Sequence, residues 1–213
     1  MSSASPRAAD TRQRLLEAAG EVFAEHGFRV ATIQEICRRA EANIAAVNYH
    51  FSDKEQLYHE VIRYAEGGSE PPRELPAGTS PEDRLRAHVE WFLLHLLAEG
   101  RPAWHGRLMA REMIEPTSAL DALVEGHIRE SQVRLLGIVR ALLGPKASEE
   151  QVRSCAFSVT GQCLFYHHCE PVISRLHPGL LIGREQVPAL AAHVTEFSLA
   201  GMRAIARRRE RSA

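Results

Sequence analysis

The segment TIQEICRRAEANIAAVNYHF, residues 32–51, holds small, amide and aromatic side chains at a spacing suited to reading nucleic acid. If its second half is a short helix with Ile44 and Val47 turned to a core, Ala45, Ala46 and Asn48 point outward. Small side chains permit close approach to base edges and thymine methyls, and an asparagine amide can pair bidentately with adenine in the major groove. Thr32, Asn43, Tyr49, His50 and Lys54 fall where they would meet phosphates on either side of that helix. Helix N-termini at Thr32 and Asp53 would add backbone N–H groups and partial positive charge.

Other reactive residue types lack a partner set. Cys163 and His167 stand at i, i+4 beside the string YHHCE, Tyr166–Glu170, a spacing that two ligands on one helix face can use. A closed metal site needs four ligands, and the remaining histidines show no recognisable spacing, so no metal or other cofactor is expected. Cys37, Cys155, Cys163 and Cys169 form no CxxC pair and read as reduced thiols. The last three share a helix at separations too long for a disulfide within it. No GxSxG elbow, P-loop, dinucleotide fingerprint or HExxH occurs, and the carboxylates mostly sit three or four residues from arginines, as on solvated helix faces. An enzyme is not expected.

The elements that must position these residues are helical throughout. Leu15, Leu16, Ala19, Val22 and Phe23 mark an amphipathic helix from Thr11 that ends at Gly27, a residue suited to the left-handed position past a helix end. Thr32 with Glu35 forms a capping box for the next helix, Asn43 caps the one after, and Ser52 caps a fourth starting at Asp53. Glu66–Pro81, with four prolines and three glycines, reads as a linker. Long helices are then expected at about 82–99, 102–114, 118–143, 148–176 and 184–209. The expected fold is all-α, with a three-helix helix-turn-helix domain in residues 1–65 (the arm 1–10 flexible), the linker at 66–81, and a larger helical bundle in 82–213.

Composition narrows the class further. With 45% hydrophobic and 25% charged residues the chain is of ordinary globular make-up. The stretch Cys155–Cys169 is too short and polar to span a bilayer, and the start carries no signal-peptide pattern, so a soluble intracellular protein with no membrane partner is expected. The 26 basic and 27 acidic residues nearly cancel, so attraction to a polyanion must be local. Arg7, Arg12 and Arg14 against Asp10 make the N-terminal arm a candidate for phosphate or minor-groove contact.

Residues 11–60 resemble the DNA-binding domain of the tetracycline-repressor (TetR) family of bacterial transcription regulators. The string NYHFSDKEQL is its most specific part: an aromatic and a histidine closing the recognition helix, then Phe, a short cap, Lys-Glu and Leu. The resemblance implies base contacts from Ala45, Ala46 and Asn48 and phosphate contacts from Thr32, Asn43, Tyr49, His50 and Lys54. It also implies a cytoplasmic homodimer on a near-palindromic double-stranded operator, released by a small, largely hydrophobic effector. One departure stands in the turn, where the family carries Gly and this chain has Glu41, a residue strained in a left-handed conformation and poorly charged for a phosphate neighbour.

The segments REMIEPTSALDALVEGHIRE and SVTGQCLFYHHCEPVI are similar to the CecR-like C-terminal domain of the same family. In that family the effector lies among the C-terminal helices, which makes Trp91, His95, Trp104, His105, Met109, His127, Phe157, Phe165 and His168 candidates here. The helix from Ser148 is apolar nearly all round, which suggests one side on the core and the other on a second subunit. With small residues on the last helix, the expected dimer interface comprises Val152, Cys155, Val159, Cys163, Leu190, Val194, Phe197 and Gly201. The alternative is a helical small-molecule-binding protein or enzyme with no DNA role, and salt-sensitive, sequence-selective DNA binding separates the two.

Overall fold

The computed structural model describes residues 6–66, 75–97, 102–180 and 182–212; among them the backbone forms eleven α-helices and no strand. They are α1 (Pro6–Val30), α2 (Ile33–Arg39), α3 (Ile44–Phe51), α4 (Lys54–Glu66), α5 (Pro81–Leu96) and α6 (His105–Ile114). Then come α7 (Ser118–Leu123), α8 (Arg129–Leu143), α9 (Glu149–His168), α10 (Glu170–Leu176) and α11 (Val187–Ser212). A π-helical turn, Val124–Ile128, joins α7 to α8.

The boundaries follow the local chemistry closely. Gly27 takes φ 76° and breaks α1 near its end, a conformation that costs glycine nothing. Thr32, Asn43 and Ser148 each accept a backbone N–H in the first turn of their helices. Two caps differ from expectation. Asp53, not Ser52, caps α4, its Oδ1 accepting Gln56 N at 2.8 Å, while Ser52 is held at φ 68° past the end of α3. Glu35 does not complete a box with Thr32, because its carboxylate is taken by Arg38 and Arg39. Pro6 begins α1, so residues 6–10 are helical rather than part of a free arm.

The chain divides into two compact units, and the division is not the one expected. The first unit joins α1–α4 to α6 and α7; the second joins α5 to α8–α11.

The first unit centres on Leu15, Leu16, Val22 and Phe23 of α1, with Ile36 and Cys37 of α2, Val47 and Phe51 of α3, and Leu57 and Val61 of α4. Residues 104–123 belong here, for three physical reasons. The Trp104 indole fills a notch at Gly20, where a β-carbon would come within 2.2 Å of it. Arg111 donates to the Ala24 and Glu25 carbonyls near the kink of α1. Glu112, buried, accepts from Tyr58 at 2.5 Å and from Thr117 N and Oγ1 at 2.7 and 2.9 Å. Every partner of this carboxylate is a donor, the condition under which its burial is tolerable.

The second unit is built around Leu85, Val89 and Leu93 of α5, Leu135 and Val139 of α8, Val152, Ala156 and Val159 of α9, and Ala191 and Val194 of α11. Serine and proline set the start of α5: Ser80 caps it and Pro81 occupies a first-turn place that needs no N–H donor. Cys169 interrupts the expected 148–176 helix, and Pro171 sits in the first turn of α10.

Candidate nucleic-acid interface

Residues Thr32–Lys54 are presented on a rigid frame. Val47 and Phe51 anchor α3 inward, so its register relative to α1 and α2 is set by burial. Ala45 and Asn48 are exposed, as a groove-reading face requires. Ala46 is half-buried against the core, so its methyl is spent on packing. Ile44, expected inward, is 48% exposed, and it is Ala46 that packs against the core instead. The apolar surface of Ile44 joins Ala45 and Asn48 on the outer face, and the i, i+3, i+7 pattern shared with Val47 and Phe51 concealed this.

The flanking polar residues carry two kinds of duty. The Thr32 hydroxyl and the Asn43 amide oxygen are occupied as caps, accepting Glu35 N and Ala46 N at 3.2 and 2.9 Å. Each still has donor hydrogens, from the hydroxyl and from the Asn43 amide NH2, for an anion. Tyr49 is 79% exposed and stands edge-on to the half-buried His50 ring. Lys54 is partly structural: Nζ donates to the Ala31 carbonyl at 3.0 Å and lies 4.7 Å above the Phe28 ring. It holds the strand of chain entering α2 while keeping further N–H donors. Glu41 adopts φ 49° and is exposed, so the strained turn expected from the sequence is present.

The basic residues are more committed than the sequence implies. Arg12 bonds Glu60 at 2.6 Å and lies over the Phe51 ring, and Arg14 donates to the Ala40 carbonyl, so both brace the domain instead of forming an arm. The Arg7 side chain lies outside the described residues. Arg39 binds Glu25 and Glu35, and hydrogen bonds from Arg38 and Arg39 bring the Glu35 carboxyl down to about 2. This face therefore offers hydrogen-bond donors at helix starts and a few cations, not a broad basic field.

The nine effector candidates do not form one constellation. Trp104, His105 and Met109 belong to the first unit, where Trp104 and His105 are buried and Met109 packs against the core. Trp91 and His95 stack on α5, ring centroids 6.0 Å apart, in the second unit. Phe157, Phe165 and His168 are exposed on α9, and the side chain of His127 lies outside the described residues. Within the second unit, α5 and α8 border an open cleft of about 1020 Å³ whose walls include Trp91 alone of the nine, together with His88, Arg84 and Arg134. His88 was missed because a histidine on the inward face of an amphipathic helix looks like core.

The interface candidates need a correction of the same kind. Val152, Cys155, Val159, Cys163 and Val194 are buried in the core of the second unit, and Leu190 packs against that core. Burial pushes the Cys163 thiol up to about 12, so it stays protonated and inert. Phe197 and Gly201 are exposed, and with them Phe157, Gly161 and Phe165 form the outward face of α9 and α11. A hydrogen bond from Gln162 Nε2 to Ser198 Oγ ties the two helices together. No group of three or more metal-binding side chains occurs among the described residues. No described helix is long and apolar enough to cross a membrane.

Comparison with known proteins places this geometry. Residues 15–61 match the model of bacterial regulatory proteins of the tetR family, and residues 81–202 match the C-terminal domain of the HTH-type transcriptional dual regulator CecR. The dual regulator CecR of Shigella flexneri is 25% identical over 170 residues, 73% of this chain and 74% of that protein. In fold, HlyIIR, a hemolysin II transcriptional regulator, superposes with a TM-score of 0.56 at 24% identity over 88% of this chain and 98% of its own. AibR, solved with isovaleryl coenzyme A and operator DNA, gives 0.59 at 19% identity over 86% and 96%. The capped α2–α3 pair, the bare outer face of α3 and these matches along the chain lead to one assignment: the protein belongs to the tetR family of bacterial transcription regulators, with a CecR-type C-terminal domain.

Proposed function

We propose that the chain is a repressor that acts as a homodimer on a near-palindromic operator in the bacterial cytoplasm and is released by a small-molecule effector. The observation that carries the reading is the outer face of α3: Ile44, Ala45, Asn48 and Tyr49 exposed between two helix caps. That face offers methyl groups, one amide and one phenol to a major groove, with Thr32, Asn43, His50 and Lys54 at its edges. It has no catalytic arrangement, which favours binding over reaction.

The size of the reading head supports a second copy. One eight-residue helix reads too few bases for a unique site, whereas two helices about 34–36 Å apart read two half-sites. The outward face of α9 and α11 suits the second copy, with Phe157, Phe165 and Phe197 at 61, 53 and 64% exposure and Gly161 and Gly201 permitting close helix approach. AibR was solved with both a ligand and operator DNA, which supports a ligand-responsive reading here. Release would follow from a population shift: an effector binds one conformer better, and that conformer spaces the two α3 helices wrongly. α6 and α7 are the natural input to the reading head, since Arg111 and Glu112 grip α1 and α4.

The test is a gel shift on DNA upstream of the protein's own gene and on a genomic fragment pool, with excess unrelated competitor. A discrete complex is expected that weakens with salt. Asn48→Ala should cost about 1–3 kcal/mol on the selected site and nothing on scrambled DNA. Equal affinity of the wild type for selected and scrambled DNA would overturn the reading.

A further inference from the structure

The cleft between α5 and α8 joins three features that ordinary packing does not require. It is large and mostly apolar, with Trp91 and Ile138 in its walls. It is also lined by Arg84 and Arg134, one from each helix, with a single carboxylate, Glu90, opposing them. And His88, only 4% exposed, lines it with Nδ1 that has no hydrogen-bond partner among the described residues. The ring packs against Trp91 and Phe92, but a leucine would also pack there without leaving a buried nitrogen unpaired, so packing alone does not account for the imidazole.

We propose that this cleft is the effector site and that it takes an amphipathic monocarboxylate, with the apolar body against Trp91 and Ile138 and the carboxylate at Arg84 and Arg134. This rests on the ligand-responsive reading above and adds to it the place and the chemical class of the ligand. Arg84 uses Nε on the Thr79 carbonyl and Arg134 uses Nη2 on the exposed Glu130, and each guanidinium fork keeps further N–H donors. An exposed pair such as Arg134–Glu130 is weak, so a carboxylate held in a partly apolar cleft competes with it. Glu90 lowers the net charge of the lining to a single positive charge, which suits a monoanion and disfavours a polyanion. Burial, with the nearby Arg134 charge second, brings His88 down to about 4, so the imidazole is neutral and hydrogen-bonds without adding charge.

The chain has two tryptophans, and Trp104 lies in the first unit, so Trp91 reports on the cleft. The experiment titrates full-length Trp104→Phe with hexanoate, decanoate and 1-naphthoate, each paired with its alcohol, while following Trp91 emission. If Trp104→Phe fails to fold, the wild type minus Trp91→Phe gives the same signal. At least one carboxylate should bind tenfold or more tighter than its alcohol, and Arg84→Gln and Arg134→Gln should each weaken it about tenfold while leaving the alcohol unchanged. Alcohols binding as well as acids, indifference to both arginine substitutions, or no change in Trp91 emission with any acid would overturn the proposal. Operator binding of the same ligand-free preparation, followed by fluorescence anisotropy, separates the two readings. Its loss sinks the regulator, whereas intact DNA binding without acid binding sinks the cleft assignment alone.

Discussion

In the first unit the buried carboxylate of Glu112 is surrounded by donors from Tyr58 and Thr117, whereas in the second unit His88, Gln132 and Thr195 each bury a polar atom with no hydrogen-bond partner among the described residues. The corresponding exception in the first unit, Arg14 Nε, still lies 3.3 Å from Asp10 Oδ2. Surfaces differ in the same sense. The first unit exposes methyls, an amide and a phenol on α3; the second exposes three phenylalanines on α9 and α11. A reading head must hold its groups in one geometry, so its polar network is closed. Under the proposed function, the second unit would pair with a copy and take up a ligand, and its exposed apolar surface and unpaired polar atoms suit partners outside the monomer.

Four predictions break or sharpen this contrast. Phe197→Glu should have the largest effect, because a carboxylate buried between two α11 helices is an unpaired desolvated charge. The expected result is a monomer in sedimentation and operator binding weakened at least a hundredfold; a stable dimer would show that the outward face is not the interface. Glu112→Ala comes next, stripping three donors of their acceptor and lowering stability by about 3–5 kcal/mol in urea unfolding. Glu112→Gln, which keeps an acceptor oxygen, should cost less. A loss under about 1 kcal/mol for Glu112→Ala would mean that apolar packing alone holds α6 to α4.

The His88 prediction concerns pH. Its folded pKa is near 4, below the usual value of 6.5, so between these values the unfolded chain binds a proton that the folded chain refuses. Stability contributed in this way is complete above about pH 6.5 and is lost as pH falls toward 4, a span of about 3 kcal/mol. Subtracting the pH profile of His88→Leu should isolate that slope, and parallel profiles would show that His88 is protonated as readily folded as unfolded. Glu41→Gly is expected to have the smallest effect, raising stability by about 1 kcal/mol through relief of φ 49° and tightening operator binding slightly as a carboxylate leaves the DNA face. An unchanged melting temperature would show the turn to be unstrained.

Much of this molecule is legible from residue order. The four N-terminal helices, the break at Gly27, the caps at Thr32, Asn43 and Ser148 and the long helices beyond residue 80 follow from signals within a few residues of one another. The outward placement of Ala45 and Asn48 follows from the same periodicity. Commitments made across the chain were not legible: Arg12 bonding Glu60 and Arg14 bonding Ala40 brace the domain, and Lys54 adds a bond to Ala31 to any phosphate role it keeps. A long cationic side chain has the same sequence signature in both roles, because its reach decides its partner.

Local sequence therefore determined which residues are helical, where the helices stop and which short helix presents small residues and an amide. Tertiary structure decided two further matters. It assigned residues 104–123 to the first unit through Trp104, Arg111 and Glu112, contacts that span 54 to 87 positions and leave no local trace. It also chose which side of α9 is inward: Val152, Cys155, Val159 and Cys163 rather than Phe157, Gly161 and Phe165. A helix apolar nearly all round has no moment to orient it, so rotation about its axis is set by the neighbours it meets.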